Sequence, residues 1–248
     1  MYDEPPSTNL RVFEDAERLA GAAAALLIEA ARARPALGLL LAGGTTPRRA
    51  YERVAATASA ADFAGVHLWY GDERMVAPDH ADSNHAMVAR AWLAPMQVPP
   101  AQIHRIRGEL PAVDAARAAA QELRDHAAGR AIAMDLVVLG IGSDGHTASL
   151  FPGDPALTVD DAPFAPARSG ARVTATLPLL CAARRVIFLA AGEAKAAAVA
   201  RALAGPDPAT PASLVRPAGE ILWLLDRAAA SLLAGAPPGS NTGATAGD

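Results

Sequence analysis

Short apolar segments alternate with helix-forming segments along most of this 248-residue chain. Residues 37–42, 66–70 and 186–191 are apolar almost throughout, and Ala-rich stretches separate several of these segments. Strands that are apolar on both faces are typical of a parallel sheet that helices cover on both sides. The alternation therefore predicts an α/β protein with a mostly parallel sheet. We expect residues 1–234 to form a single domain.

The same pattern predicts the individual elements. We expect strands at residues 11–13, 37–42, 66–70, 103–106, 135–139, 172–176, 186–191 and 221–225. We expect helices at residues 15–34, 47–58, 83–93, 113–128, 193–204 and 226–233, with Ser83 as one N-cap. Residues 153–170 are predicted to form a loop, and the Gly- and Pro-rich residues 235–248 to form a disordered tail.

Composition excludes several classes of partner. The net charge is −4 and the basic residues are scattered, so no face is predicted to bind nucleic acid. Cys181 is the only cysteine, which rules out an intrachain disulfide and a thiolate zinc cage. The sequence opens without a signal-peptide pattern, and its apolar stretches are too short to span a membrane. We therefore expect a cytoplasmic protein without a nucleic-acid or membrane partner.

The segment DLVVLGIGSDGHTASLFP at residues 135–152 carries the strongest functional signal. A buried strand runs into a glycine-rich turn that holds Asp144 and His146, a typical place for reactive groups in α/β enzymes. We expect residues 147–151 to form a short helix with His146 near its first turn. A helix N-terminus disfavours the protonated imidazole, so His146 is the best general base in the chain. The alternative is a histidine that only caps the helix or bonds within the loop.

Gly140, Gly142 and Gly145 also match the dinucleotide fingerprint G-x-G-x-x-G. That fingerprint requires a long helix after the third glycine, and then a strand that ends in an acidic residue. Here Pro152 stops the helix, and the loop-like residues 153–170 follow. The context therefore disfavours a nicotinamide or flavin, and we expect no cofactor.

A second candidate loop follows the strand at residues 37–42 and contains Gly43, Gly44, Thr45 and Thr46. Free backbone N–H groups, two hydroxyls and the positive end of the next helix would together form an anion site. The loop lacks the G-K-[ST] of a nucleotide P-loop, so a sugar phosphate fits it better than ATP. The alternative is a tight turn with a threonine N-cap.

Charged residues follow two other strands. Asp72, Glu73 and Arg74 form a cluster in which Arg74 pairs with a phosphate or holds Asp72, and the alternative is a solvated, salt-bridged loop. Lys195 is the only lysine and is predicted in the first turn of a helix, where its charge opposes the helix dipole. We expect it to meet a ligand phosphate, and the alternative is a solvent-facing lysine.

The other histidines give no metal motif. His80, Asp82 and His85 lie close together in the sequence, but their spacing fits no standard ligand pattern, so no metal is expected. Three further histidines are predicted to be structural, two in strand patterns and one in a helix: His67, His104 and His126.

Several short motifs occur in one order along residues 10–233: AGGTTP, YGDERMV with DSN, LGIGSDGHTASLFPG, RVTATLP, GEAKAAAV, and PASLVRP with a late WLLD. Together they resemble the 6-phosphogluconolactonases. The resemblance implies a Rossmann-like three-layer α/β/α sandwich, shared with glucosamine-6-phosphate deaminases and ribose-5-phosphate isomerases. It implies hydrolysis of 6-phospho-D-glucono-1,5-lactone to 6-phosphogluconate, in the oxidative pentose phosphate pathway, without a metal.

The resemblance also implies site residues. The family's catalytic histidine falls on His146, and Asp72 is predicted as a second catalytic residue. The predicted substrate- and phosphate-binding residues are Gly43, Gly44, Thr45, Thr46, Arg74, Gly142, Asp144, Gly145 and Lys195. The expected partner is the sugar-phosphate lactone, and the expected assembly is a monomer or a weak homodimer.

Two other functions remain as alternatives. Deaminases that act as aldose–ketose isomerases share the D-G-H loop but carry a carboxylate before the proline, where this chain has Phe151. Sugar-phosphate sensor domains of transcription regulators carry an additional helix-turn-helix region, for which this N-terminus is too short. A serine hydrolase is disfavoured because the sequence has no G-x-S-x-G elbow.

Overall fold

The computed structural model describes residues 8–34 and 36–233 of the chain. In these residues the strands are β1 Thr8–Phe13, β2 Leu37–Leu41, β3 Val66–Tyr70, β4 Asp72–Arg74, β5 Ile103–His104, β6 Leu136–Gly140, β7 Phe164–Ala167, β8 Arg172–Ala175, β9 Arg185–Ala190 and β10 Glu220–Asp226. The α-helices are α1 Ala16–Ala33, α2 Thr45–Thr57, α3 Asn84–Val88, α4 Ala112–Ala127, α5 Leu177–Cys181 and α6 Ala196–Ala204.

The large sheet has the strand order β1-β10-β9-β6-β2-β3-β5, and its strands are parallel. Its central strands are buried on both faces, as their apolar sequences predict. The predicted α/β architecture with a mostly parallel sheet flanked by helices is confirmed. Since β9, β6 and β2 are neighbours, their carboxyl ends bring the loops at residues 191–195, 141–146 and 42–46 to one place.

A small antiparallel sheet, in the order β4-β8-β7, lies where β3 ends. Its register places Asp72 opposite Thr174 and Arg74 opposite Arg172. The sheet therefore carries charged side chains from a distant part of the sequence to the carboxyl edge of the large sheet.

Several local predictions were wrong. Residues 153–170, predicted as a loop, contain β7. The predicted strand at 172–176 is confirmed as β8, and it pairs in the small sheet. The predicted helix at residues 83–93 ends at Val88 and continues as a π-helical segment, Ala89–Leu93. Apart from two helices, the other predicted elements are confirmed with small shifts at their ends. Ser83 is the N-cap of α3, as predicted.

Two predicted helices do not form. Residues 147–151 make a turn closed by a bridge between Thr147 and Leu150, because Thr147 Oγ1 donates to the Gly140 carbonyl at 2.8 Å and holds the segment against β6. Residues 227–233 form turns and no helix, although the Asp226 carboxylate accepts from the backbone N–H of Ala229 as an N-cap would; it also accepts from the backbone N–H of Gly192. The predicted tail at 235–248 lies outside the described residues, and no helix among the residues described is long and apolar enough to cross a membrane.

Candidate active site

A cleft of about 410 Å³ opens at the carboxyl edge of the large sheet. The loops after β2, β6 and β9, which the sequence predicts to converge, all line it. The small sheet closes one side with side chains from β4 and β8. The cleft therefore combines backbone groups from the large sheet with charged side chains from the small one.

His146 lies in this cleft, held by a carboxylate and not by a helix. Its Nδ1 is 2.6 Å from Asp144 Oδ1, which also accepts from the His146 backbone N–H at 3.1 Å. Phe151 packs against the ring, with 4.3 Å between ring centroids. The bond to Asp144 assigns the ring proton to Nδ1 and leaves the lone pair on Nε2. A Cβ at Gly142 would overlap the imidazole, so glycine is required for this placement.

Asp144 is ionised behind the imidazole. Burial alone would raise its pKa, but the hydrogen bonds from the backbone and ring of His146 outweigh burial and hold the pKa below its ordinary value. Asp144 does not line the cleft, and neither does Gly145, which packs against Thr210. Of the three residues predicted here as substrate-binding, only Gly142 faces the cleft.

Asp72 is buried, with 5% of its surface exposed, and both of its oxygens are bonded. Oδ1 accepts from Asn84 Nδ2 at 3.0 Å, and Oδ2 accepts from Ser149 Oγ at 2.5 Å. The guanidinium of Arg172 lies 3.8 Å from Oδ2. The prediction that Arg74 holds Asp72 was wrong. Arg74 donates to the Asp82 carbonyl, and the guanidinium beside Asp72 is that of Arg172.

Glu73 is a structural carboxylate and does not line the cleft. It accepts from the backbone N–H groups of Asn84 and His85 and from the Ser83 hydroxyl, at 2.7–3.0 Å. Burial nevertheless raises its pKa. These bonds fix the start of α3 and aim the Asn84 amide at Asp72. That amide fills the space beside Gly43, where a Cβ would overlap it.

The predicted anion-binding groups face the cleft together. Gly44 is the N-cap of α2 and makes no side-chain cap, so the threonine N-cap alternative is wrong. The backbone N–H groups of Thr45 and Thr46 have no partner among the described residues. Lys195 is half-buried beside the start of α6, and no described carboxylate oxygen lies within 4.0 Å of its ammonium. The buried Nε of Arg74 has no hydrogen-bond partner among the described residues.

His80, Asp82 and His85, which lie close together in the sequence, do not form a metal site in the fold. His85 Nδ1 lies 2.9 Å from the Tyr70 hydroxyl, while His80 Nδ1 accepts from the backbone N–H of Asp82. His80 Nδ1 also lies 3.8 Å from Asp82 Oδ2, but the three side chains do not form a metal-binding group in the described part of the chain.

Sequence reasoning missed three residues that touch the Asp72 carboxylate: Asn84, Ser149 and Arg172. Asn84 follows an N-cap serine, which is a usable signal because the start of a helix tends to face a strand end. Ser149 and Arg172 gave no comparable signal, since each reaches the site through the small sheet. Ser149 is tied to β8 by its backbone N–H, which donates to Thr174 Oγ1 at 3.0 Å.

Comparison with known proteins identifies the family. The family described as glucosamine-6-phosphate isomerases/6-phosphogluconolactonase matches residues 14–223. The chain belongs to this family. In this family member, the D-G-H loop at residues 144–146 places His146 in the cleft at the carboxyl edge of the large sheet.

Individual relatives share most of their length with this family member. It is 42% identical over 222 residues to the 6-phosphogluconolactonase of Rattus norvegicus, covering 85% of each chain. It is 41% identical over 244 residues to that of Homo sapiens, covering 90% of this chain and 93% of the human one. The solved structure of 6-phosphogluconolactonase from Trypanosoma brucei superposes with a TM-score of 0.80 at 28% identity, covering 92% of this chain and 100% of the other.

Proposed function

We propose that this protein hydrolyses 6-phospho-D-glucono-1,5-lactone to 6-phospho-D-gluconate, with His146 as the general base. The observation that carries the proposal is the Asp144–His146 pair, which presents a free imidazole nitrogen to a cleft rich in positive charge. The relatives named above, which are 6-phosphogluconolactonases, support the same reaction.

The chemistry needs one base and no covalent intermediate. His146 Nε2 takes a proton from a water molecule, and the hydroxide forms a bond to the lactone carbonyl carbon. The tetrahedral intermediate then breaks its bond to the ring oxygen, which takes the proton back from the imidazolium. The product is a carboxylic acid and a free hydroxyl, and the acid ionises in water. Asp144 keeps the ring in the correct tautomer and stabilises the imidazolium between these steps.

The charge of the cleft suits a phosphorylated substrate. Three cationic side chains line it, Arg74, Arg172 and Lys195, together with the N-terminus of α2. The carboxylate that lines it, Asp72, is already bonded on both oxygens. A phosphate dianion is therefore matched by positive groups, and we propose that Gly43–Thr46, Arg74 and Lys195 hold it.

The isomerase branch of the family is the second candidate, and Phe151 disfavours it. Phe151 takes the place of the deaminase carboxylate, packs on His146 and lies 4.1 Å from the Arg168 guanidinium carbon. An aromatic ring there cannot move protons between sugar carbons.

The test is the hydrolysis of freshly generated 6-phosphogluconolactone, measured against its spontaneous rate. We expect enzymatic turnover, a much lower kcat/KM with unphosphorylated gluconolactone, and no ammonia from glucosamine 6-phosphate. Comparable kcat/KM on both lactones would remove the phosphate site from the proposal. Steady ammonia release would replace the lactonase with a deaminase.

A further inference from the structure

Three histidines meet at the outer edge of the large sheet, away from the cleft. His67 lies on β3, His104 on the edge strand β5 and His126 in the last turn of α4. One ring nitrogen from each lies within 4.8 Å of the others. We propose that these three histidines form a binding site for a divalent transition-metal ion, Zn²⁺ by preference.

The His104 ring is already oriented as a metal-bound imidazole would be. Its Nδ1 lies 2.7 Å from Glu122 Oε1, and its Nε2 lies 2.8 Å from His67 Nδ1. A carboxylate that accepts the second N–H of a ligating histidine fixes the tautomer and makes the other nitrogen a stronger donor. Glu122 therefore leaves the lone pair of His104 Nε2 facing the other two rings.

The hydrogen bond between His67 Nδ1 and His104 Nε2, at 2.8 Å, would be exchanged for bonds from both nitrogens to the metal. His67 now donates its Nδ1 proton to His104, and binding through Nδ1 requires only that this proton move to Nε2.

The ligand set favours zinc-type ions. Imidazole nitrogens suit Zn²⁺, Cu²⁺, Ni²⁺ and Co²⁺, whereas Mg²⁺ and Ca²⁺ prefer oxygen. Three protein ligands with a fourth position for water is a common zinc arrangement. The three rings are half-buried, so solvent reaches the cluster. Bound metal would tie the edge of the large sheet to α4.

A packed aromatic cluster is the competing explanation. The His104 ring stacks on Trp69, with 4.0 Å between centroids and 9° between planes. Stacking accounts for one face of His104. The three histidine rings also pack on one another, with centroids 4.3–5.4 Å apart, and the hydrogen bond between His67 and His104 brings two of the nitrogens together. Neither contact accounts for the ring nitrogen of His126, which lies within 4.8 Å of both.

Cobalt titration tests the site directly. The full chain is stripped with a chelator, freed of it, and titrated with Co²⁺, which absorbs visible light when bound in tetrahedral geometry. We expect one equivalent to bind, Zn²⁺ to displace it, and Zn²⁺ to raise the Tm. His104→Ala and His126→Ala should abolish the absorption and the Tm shift. Glu122→Gln should weaken binding by about 10- to 100-fold, as loss of an outer partner does.

His80→Ala is the matched control, because His80 is an exposed histidine outside the cluster and the variant should bind like wild type. His126 lies at the end of a helix, so His126→Ala keeps the test usable if His104→Ala does not fold. Absence of a cobalt spectrum in the wild type would overturn the proposal. A spectrum that survives in folded His126→Ala would overturn it equally, since the metal would then bind elsewhere.

Discussion

The large and small sheets both border the cleft, but the groups that they contribute differ in kind. Groups from the large sheet keep open positions: within residues 8–34 and 36–233, neither His146 Nε2 nor the backbone N–H groups of Thr45 and Thr46 have a hydrogen-bond partner. Groups from the small sheet are bonded to the loops around them: the Asp72 carboxylate accepts from Asn84 and Ser149, and Arg74 donates to the Asp82 carbonyl. The open groups of the large sheet can therefore bind and react with the substrate. The small sheet mainly supplies charged side chains and fixes their positions.

This difference has a physical origin in the two architectures. Parallel strands that end together expose helix N-termini and glycine turns, which present unpaired backbone donors. An antiparallel ribbon pairs its own backbone and presents side chains in register, so that Arg74 and Arg172 lie side by side. The comparison predicts large rate effects for changes to the open groups of the large sheet, and mainly a stability effect for a change to Asp72, which is already bonded, on the small sheet.

The largest effect is expected from His146→Ala. Loss of a positioned base should lower kcat by about 10²–10⁴-fold, with a smaller change in KM because the phosphate contacts lie on other loops. Steady-state kinetics above the spontaneous background measure it, and His80→Ala, outside the cleft, is the control. A folded variant with near-wild-type turnover would break the comparison, because Asp72 on the small sheet would then be the base.

Lys195→Met should have the next largest effect. Loss of one charged hydrogen bond to the phosphate should lower kcat/KM by roughly 10–100-fold, mostly through KM. Lys195→Arg should recover part of the loss because it keeps the charge. An unchanged KM in Lys195→Met would show that this lysine only faces solvent.

Asp72→Asn tests the small sheet. Replacing a buried carboxylate that accepts two hydrogen bonds should cost about 1–3 kcal/mol of the free energy of unfolding, measured by urea denaturation. It should lower kcat less than His146→Ala does. The control is Asp79→Asn, which removes an exposed charge and should change stability by less than about 0.5 kcal/mol. A kcat loss equal to that of His146→Ala, with unchanged stability, would show that Asp72 takes part in the reaction and does not only support the site.

The smallest effect is expected from Asp144→Asn, and it is measured as a shift in the pH dependence of kcat/KM. The Asp144 carboxylate, whose pKa is lowered, lies 2.6 Å from His146 Nδ1, and a carboxylate favours a cation beside it. Removing the anion disfavours the imidazolium, so the acid limb of kcat/KM should move to lower pH, with a modest loss of kcat. A limb that does not move, or moves to higher pH, would mean that the pair is not coupled.

The sequence predicted the large sheet well because its strands are apolar throughout and its helices are long or capped. The loops around Gly43, His146 and Lys195 could be placed for the same reason: each follows a strand of that sheet directly. Their convergence needed only the rule that parallel strands end at one edge.

The small sheet could not be predicted in the same way. Its strands are three or four residues long, too short for a periodic signal, and β4 is made of charged residues. Arg172 and Ser149 reach the site only through that pairing, so they were missed. The false helix at residues 147–151 came from local composition, which cannot register a hydrogen bond to Gly140 or a tie to β8.

Because the Asn84 amide lies so close to Gly43, the residues that are tolerated at one of these two positions depend on the residue at the other. Any side chain at position 43 would displace the Asn84 amide and release its hold on Asp72, while a smaller residue at position 84 would leave space for one. Changes at the two positions are therefore expected to occur together in natural variants. A mutant library that varies either position alone would sample mostly damaged proteins, and a productive one would vary both.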